Sequence, residues 1–321
     1  MKRRHIMALP AALAAAALAR PAVAQSWPAR PVRLVVPYPA GQGTDIFGRY
    51  FAEFYQRRLG QPFVVENRAG AGGNIGSALV ARAEPDGYTL LWGTNATHAA
   101  NEFMFTSLGF DPAADFAPIA AILSLGMVLY TAQESPVRTL ADLIAAAKAR
   151  PGQISIGVPS TTARVATEIL RRAAGIEIQQ VPYTGSAQAL TGGLRGDVLA
   201  VVDTIASSLG TIRGDRIRPL GVTLPKRSES LPQVPNFIEQ GVDVDVTAWN
   251  AFYAPKGTPA EIVRVLNQAS NAGLADPTLR ANLVRGGAEP LGGTPEELAT
   301  LMRTDRLKWK PVIEALGLTA S

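Results

Sequence analysis

The residues best placed to do chemistry lie in the run Val35-Val36-Pro37-Tyr38-Pro39-Ala40-Gly41-Gln42-Gly43-Thr44-Asp45. A β-branched apolar stretch enters a loop of Pro and Gly, and Thr44 and Asp45 are both good caps for a helix that follows. Such a loop exposes backbone N–H groups beside a helix N-terminus, where the dipole favours negative charge. The loop itself holds no Lys or Arg. The chemistry it suggests is capture of a small anion by peptide N–H groups rather than by side-chain charge.

Four later segments repeat the pattern of strand, polar loop and helix start. Thr94 and Asn95 follow the strand-like Thr89–Gly93 and offer either ligand contacts or a helix cap. Ser160-Thr161-Thr162-Ala163-Arg164 opens the next such helix. A cation in the first turn is unfavourable for the helix dipole, so Arg164 calls for an anion, either a ligand carboxylate or Asp203. Val181-Pro182-Tyr183-Thr184-Gly185-Ser186 is the third segment, with Tyr183 and Thr184 as polar candidates. Asp203 ends the apolar run Leu199–Val202, where it would accept from a ligand amine or hydroxyl or cap the following helix.

Several other chemistries fit poorly. The cluster Gly70-Ala71-Gly72-Gly73-Asn74-Ile75-Gly76 lacks the third glycine of a dinucleotide fingerprint, since Ile75 stands in its place, and no Lys follows as a phosphate loop requires. Close packing and a tight turn account for it better. There is no Gly-x-Ser-x-Gly elbow and no cysteine. Beyond residue 24 the one histidine is His98, so a hydrolase or isomerase would have to pair it with Asp45 or Asp203. One histidine without cysteine argues against a transition-metal site, and no acidic calcium loop is present. No cofactor is expected.

The elements that must position these residues alternate between the two regular structures. Strands are predicted at Val32–Val36, Phe63–Glu66, Thr89–Gly93, Ile154–Val158, Ile178–Pro182, Leu199–Asp203 and Pro219–Thr223. Helices are predicted at Asp45–Leu59, Asn74–Ala83, Leu140–Ala149, Ala163–Ala174, Ala187–Leu194, Pro259–Leu274 and Pro295–Leu316. This argues for an α/β fold with largely parallel sheets, whose ligands bind beyond the carboxyl ends of the strands. The extended apolar segments Ser124–Tyr130 and Trp249–Tyr253 suit two crossings between lobes. Residues 25–124 and 250–321 would then form one lobe and 125–249 the other.

The first 24 residues read as an export signal: Lys2-Arg3-Arg4, an Ala/Leu-rich stretch, then Ala22-Val23-Ala24 before a cleavage site at Gln25. The Arg pair leaves the choice between general and twin-arginine export open. The chain of 321 residues carries +5 from 31 basic and 26 acidic residues. Loss of Lys2, Arg3, Arg4 and Arg20 leaves 27 against 26, so no basic face for nucleic acid is expected. No heptad pattern asks for more than a monomer.

Taken in order, Val36–Gly41 with Asp45 and Arg49, Val65–Arg68 through Gly70–Gly76, Pro85-Asp86-Gly87-Tyr88-Thr89-Leu90, Thr97-His98, Val181–Gly185, Leu231-Pro232-Gln233-Val234-Pro235 and Ala254–Pro259 resemble the Bug family. These are periplasmic solute receptors of tripartite tricarboxylate transporters. The resemblance implies a two-lobed periplasmic binding protein of type II-like fold, hinged by two crossing strands and closing over a small organic acid, without catalysis. That acid would be a mono-, di- or tricarboxylate, an aromatic acid or an amino acid. The implied first-lobe contacts are Tyr38, Ala40, Gly41, Gln42, Gly43, Thr44 and Asp45, with Thr94 and Asn95. The second lobe would add Ser160, Thr161, Thr162, Tyr183, Thr184 and Asp203. Two departures from the family pattern stand out: Gln42 where Gly is usual, and Arg164 where His is frequent. Arg164, with its planar fork, suits a second carboxylate. The implied partner is a membrane transporter or, alternatively, a sensor kinase.

Overall fold

In the computed structural model, which describes residues 27–317, one 17-residue strand is shared between two sets of partners. The export-signal reading lies outside the described residues. The chain begins β1 (Val32–Val36), α1 (Gly43–Leu59), β2 (Phe63–Asn67), α2 (Asn74–Ala81), β3 (Thr89–Thr94) and then the long strand β4 (Phe116–Ala132). It continues α3 (Leu140–Ala149), β5 (Ile154–Val158), α4 (Thr161–Ala173), β6 (Ile178–Pro182), α5 (Ser186–Arg195), β7 (Ala200–Thr204), α6 (Ile205–Arg213) and β8 (Ile217–Val222). It ends β9 (Thr247–Pro255), α7 (Ala260–Ala275), α8 (Pro277–Arg285), β10 (Ala288–Gly292) and α9 (Pro295–Leu316).

The strands follow the order β2-β1-β3-β9-β4-β7-β5-β6, with β10 and β8 also pairing to β4. Through Gly126, β4 pairs with β9; from Met127 it pairs with β7, and from Val128 with β8. The outer strands β2-β1-β3 and β7-β5-β6 are parallel, as helical crossovers require, whereas β4 and β9 enter antiparallel. The α/β reading therefore holds, with parallel pairing confined to the flanks. The extended crossings are longer than the sequence indicated.

Each half has its own core. Trp92, Phe252, Phe51 and Tyr55 pack between α1 and the first strands, Trp92 meeting Phe252 edge-on at 4.6 Å. Ile156, Val165, Leu170 and Val202 centre the second. Helix α9 spans two clusters: Leu298 and Met302 pack with Leu91 and Tyr253 on the other face of the first strands, while Trp309 and Ile313 pack with the second core. The last turns of α9 thus join the half of the chain that the sequence reading left to residues 125–249.

Thr223 binds the two crossings together. Its hydroxyl accepts from Met127 N (3.0 Å) and donates to Val246 O (2.5 Å), while its backbone pairs with the same two residues. It is fully buried. Thr223→Val keeps the shape and strands one donor and one acceptor, so stability in urea should fall by about 1–3 kcal/mol.

His98 lies in a π-helical turn, Ala96–Ala100. It is wholly buried, stacked on Tyr253 at 3.9 Å, with Nδ1 2.8 Å from the Thr97 hydroxyl. Burial drives its pKa down from 6.5 to about 3, outweighing the hydrogen bond toward Thr94. The unfolded chain takes up a proton below about pH 6.5 and the folded one does not. This contribution to stability is therefore present above about pH 6.5 and lost as pH falls toward about 3. Urea unfolding at about pH 7 and about pH 4.5 should show a smaller acid loss for His98→Gln than for the wild type. Equal losses would contradict the buried neutral imidazole.

Candidate functional site

The loop after β1 turns at Gly41, whose φ of +85° favours glycine. Helix α1 begins at Gly43, two residues before the sequence indicated, with Gln42 at the cap position and no side-chain cap bond. The loop approaches α6 so closely that a Cβ on Gly43 would lie 3.0 Å from the Thr204 hydroxyl. The amides there are not all free. Gly41 N donates to Asp45 (2.9 Å) and Gly43 N to the Ser207 hydroxyl (2.9 Å). The N–H groups of Thr44 and Asp45 have no acceptor among the described residues.

Asp45 serves the loop rather than the cavity. It accepts from Gly41 N, Arg49 and Asn67, and Asn67 also donates to Tyr38 O. Burial alone would raise its pKa, but the Arg49, Gly41 and Asn67 hydrogen bonds together hold it below the usual carboxylate value. Its partners account for it, and it lines neither cavity described below.

The inner cavity lies where β4 changes partners. Tyr38, Gln42, Gly43, Thr44, Thr94 and Asn95 line it from one side; Ser160, Thr162, Ser186, Asp203 and Thr204 from the other; Leu125, Ala248 and Asn250 come from the crossing strands. In this arrangement the cavity is nearly closed, with about 30 Å³ of room, space for little more than a water, so a ligand enters only as the two walls separate. The Tyr38 hydroxyl meets Thr94 Oγ1 at 2.9 Å, and burial pushes its pKa up to about 12, so it stays a neutral donor. Contacts across the cleft close the space: Thr162 with Asn95 (3.4 Å), Thr161 donating to Asn101 (3.0 Å) and Gln42 to Pro159 O (3.5 Å). Ser160 caps α4 through Ala163 N and also faces the cavity.

A second, wider cavity opens beside it, sharing Tyr38 and Ser160. Pro37, Pro39, the Ala69–Gly73 turn and Phe105 face Arg164, Thr161, Tyr183 and Thr184 across a space of about 430 Å³. Arg164, Thr161, Tyr183 and Thr184 thus belong to the outer space, and Ala40 and Gly41 line neither cavity. Asp203 is not the anion beside Arg164, for no ion pair joins them. Thr204, not Asp203, caps α6, accepting from Ser207 N. His98 lines neither space. Among the described residues no group of three His, Cys, Asp or Glu is arranged to hold a metal.

Ser186, Thr204 and Asn250 were missed by sequence reading. The signal for Asn250 was a lone amide inside the apolar crossing Trp249–Tyr253; for Ser186 it was a hydroxyl at a helix start.

Known proteins share this plan. BugT of Bordetella pertussis is 34% identical over 309 residues, 95% of this chain and 95% of that protein. The structure of R. palustris Rpa4515 with adipate is 36% identical with a TM-score of 0.89, covering 91% of this chain and 99% of that one. MatC (Rpa3494) from Rhodopseudomonas palustris with bound malate is 29% identical, with a TM-score of 0.84 over 89% of this chain and 100% of that one. A family model described as the tripartite tricarboxylate transporter family receptor matches residues 47–318. With its shared strand, its cleft of neutral donors and this match over most of its length, the chain belongs to the tripartite tricarboxylate transporter receptors, the TctC family.

Proposed function

We propose that this protein is a periplasmic receptor that captures a small carboxylate-bearing metabolite between two lobes and hands it to a tripartite tricarboxylate-type transporter. Residues up to 124 and from 250 form one lobe and 125–249 the other, with the last turns of α9 lying on the second. The signal is cleaved before Gln25. The role is capture without turnover, since His98 is sealed from the cleft.

One observation carries this reading: a cavity walled by hydroxyls, amides and helix-start N–H groups from both sides of the chain, with a neutral inner lining apart from Asp203. Neutral donors fixed in a dry cleft solvate an anion without a paired cation. The adipate and malate held by the two related structures fit that chemistry. A ligand that bridges the lobes stabilises the closed arrangement, so capture is a population shift. The ligand-contacting set is Tyr38, Gln42, Thr44, Thr94, Asn95, Ser160, Thr162 and Asp203, with Gly43 shaping the loop. Arg164, Thr161, Tyr183 and Thr184 face the outer part of a longer acid.

Two measurements test this. A thermal-shift panel of mono-, di- and tricarboxylates, aromatic acids and amino acids at millimolar concentration should raise Tm by several degrees for at least one member. Silence across the whole panel contradicts capture of an acid. Arg164→Ala should weaken a dicarboxylate about tenfold more than the monocarboxylate of equal length, measured by calorimetry. Equal losses would remove Arg164 from the site.

A further inference from the structure

We propose that capture is proton-linked through Asp203: the ligand carboxylate binds while Asp203 carries a proton, forming an O–H···O⁻ hydrogen bond, so each acid bound above neutral pH brings one proton with it. The proposal rests on the carboxylate reading above.

The geometry leaves few alternatives. Asp203 is 3% exposed at the carboxyl end of β7 and is the one ionisable acid lining the inner cavity. Its partners are neutral: Thr204 N at 2.7 Å and the adjacent Ser186 hydroxyl. The elements packed around β7 supply no cation to it. Tyr130 faces it from β4, and β5 (Ile154–Val158) has no ionisable side chain. On α4, Arg164 points into the outer cavity and Glu168 is paired with Arg171 and Arg172. Arg195 and Arg213 stand in the last turns of α5 and α6, away from their N-termini. Across the cleft, Asp45 is paired with Arg49.

A carboxylate ligand entering this space meets a second carboxyl with no positive group between them. Two such groups in a dry site do not both stay ionised; they share a proton. Burial already lifts Asp203 to about 7 in the empty protein, against the opposing hydrogen bonds of Ser186 and Thr204. A bound anion lifts it further. Below about pH 7 the proton is already in place and affinity should be flat. Above about pH 7 it must be taken from solvent, and affinity should fall up to about tenfold per pH unit.

The experiment is titration calorimetry with adipate and with malate, in two buffers of different ionisation heat, from about pH 6.5 to about pH 9, where both acids are fully ionised. The expected result is uptake of close to one proton per ligand near pH 8. Asp203→Asn, which mimics the protonated acid, should abolish uptake, lose the pH slope and bind more tightly than wild type at high pH. A bound acid with no proton uptake by the wild-type protein overturns the proposal, whether or not the variant folds. So does an Asp203→Asn variant that loses binding while wild type prefers aspartate to succinate, since Asp203 would then stay ionised to receive an ammonium group. Absence of binding by any acid at any pH is a different failure: it overturns the carboxylate reading and the proposal with it.

Discussion

The structure depends on one strand serving two sheets. β4 runs 17 residues, bonded to β9 and β10 along its first part and to β7 and β8 along its second. The pairing changes at Gly126–Met127, and Thr223 ties that point to Val246, the residue just before the returning strand β9. Everything polar in the cleft follows from this handover. The loops after β1 and β3 come from one side, the starts of α4, α5 and α6 from the other, and Asn250 from the crossing itself. A hinge of continuous strands permits relative motion of the two halves while preserving the hydrogen bonds within each.

The cleft handles charge by a division of labour. Charged groups near it are neutralised within their own half: Asp45 by Arg49, and Glu168 by Arg171 and Arg172. The inner surface is left to hydroxyls, amides and free helix-start N–H groups, whose dipoles are fixed before ligand arrives. Asp203 breaks that neutrality, and its burial ties the cleft to proton activity. Arg164, farther out, meets the opposite demand in a wider space.

Much of this was legible in the chain. Strands Val32–Val36, Ile154–Val158 and Ile178–Pro182 have the bounds their β-branched residues indicate; the first two are mostly buried and mostly apolar, broken by Arg33 and Ser155, whereas β6 ends the strand order and carries Gln179 and Gln180. β10 was hidden because Ala288–Gly292 contains Glu289 and Pro290, an edge composition. α6, Ile205–Arg213, was hidden by its Ser, Thr and Gly content; α8 was overlooked although Asp276-Pro277 is a helix-start signal, its nine residues showing only Leu279 and Leu283 as buried anchors. β4 was seen only in part, because Pro118 and the alanines of its first half do not resemble a strand. In the site, the loop around Gly41 was readable from residue types. That Gly43 N would be taken by Ser207, and Gly41 N by Asp45, was not, because the first contact joins residues 164 apart and the second depends on where α1 starts.

The central claim is that neutral donors of the inner cavity hold the acid. A crystal structure of the protein with adipate, or with whichever acid gives the largest thermal shift, tests it most directly. The account predicts a carboxylate seated between the Gln42–Thr44 turn, Asn95 and Asp203, its oxygens on hydroxyl, amide and backbone N–H groups. A ligand found wholly in the outer space, its carboxylate paired with Arg164 and the inner cavity untouched, would contradict it.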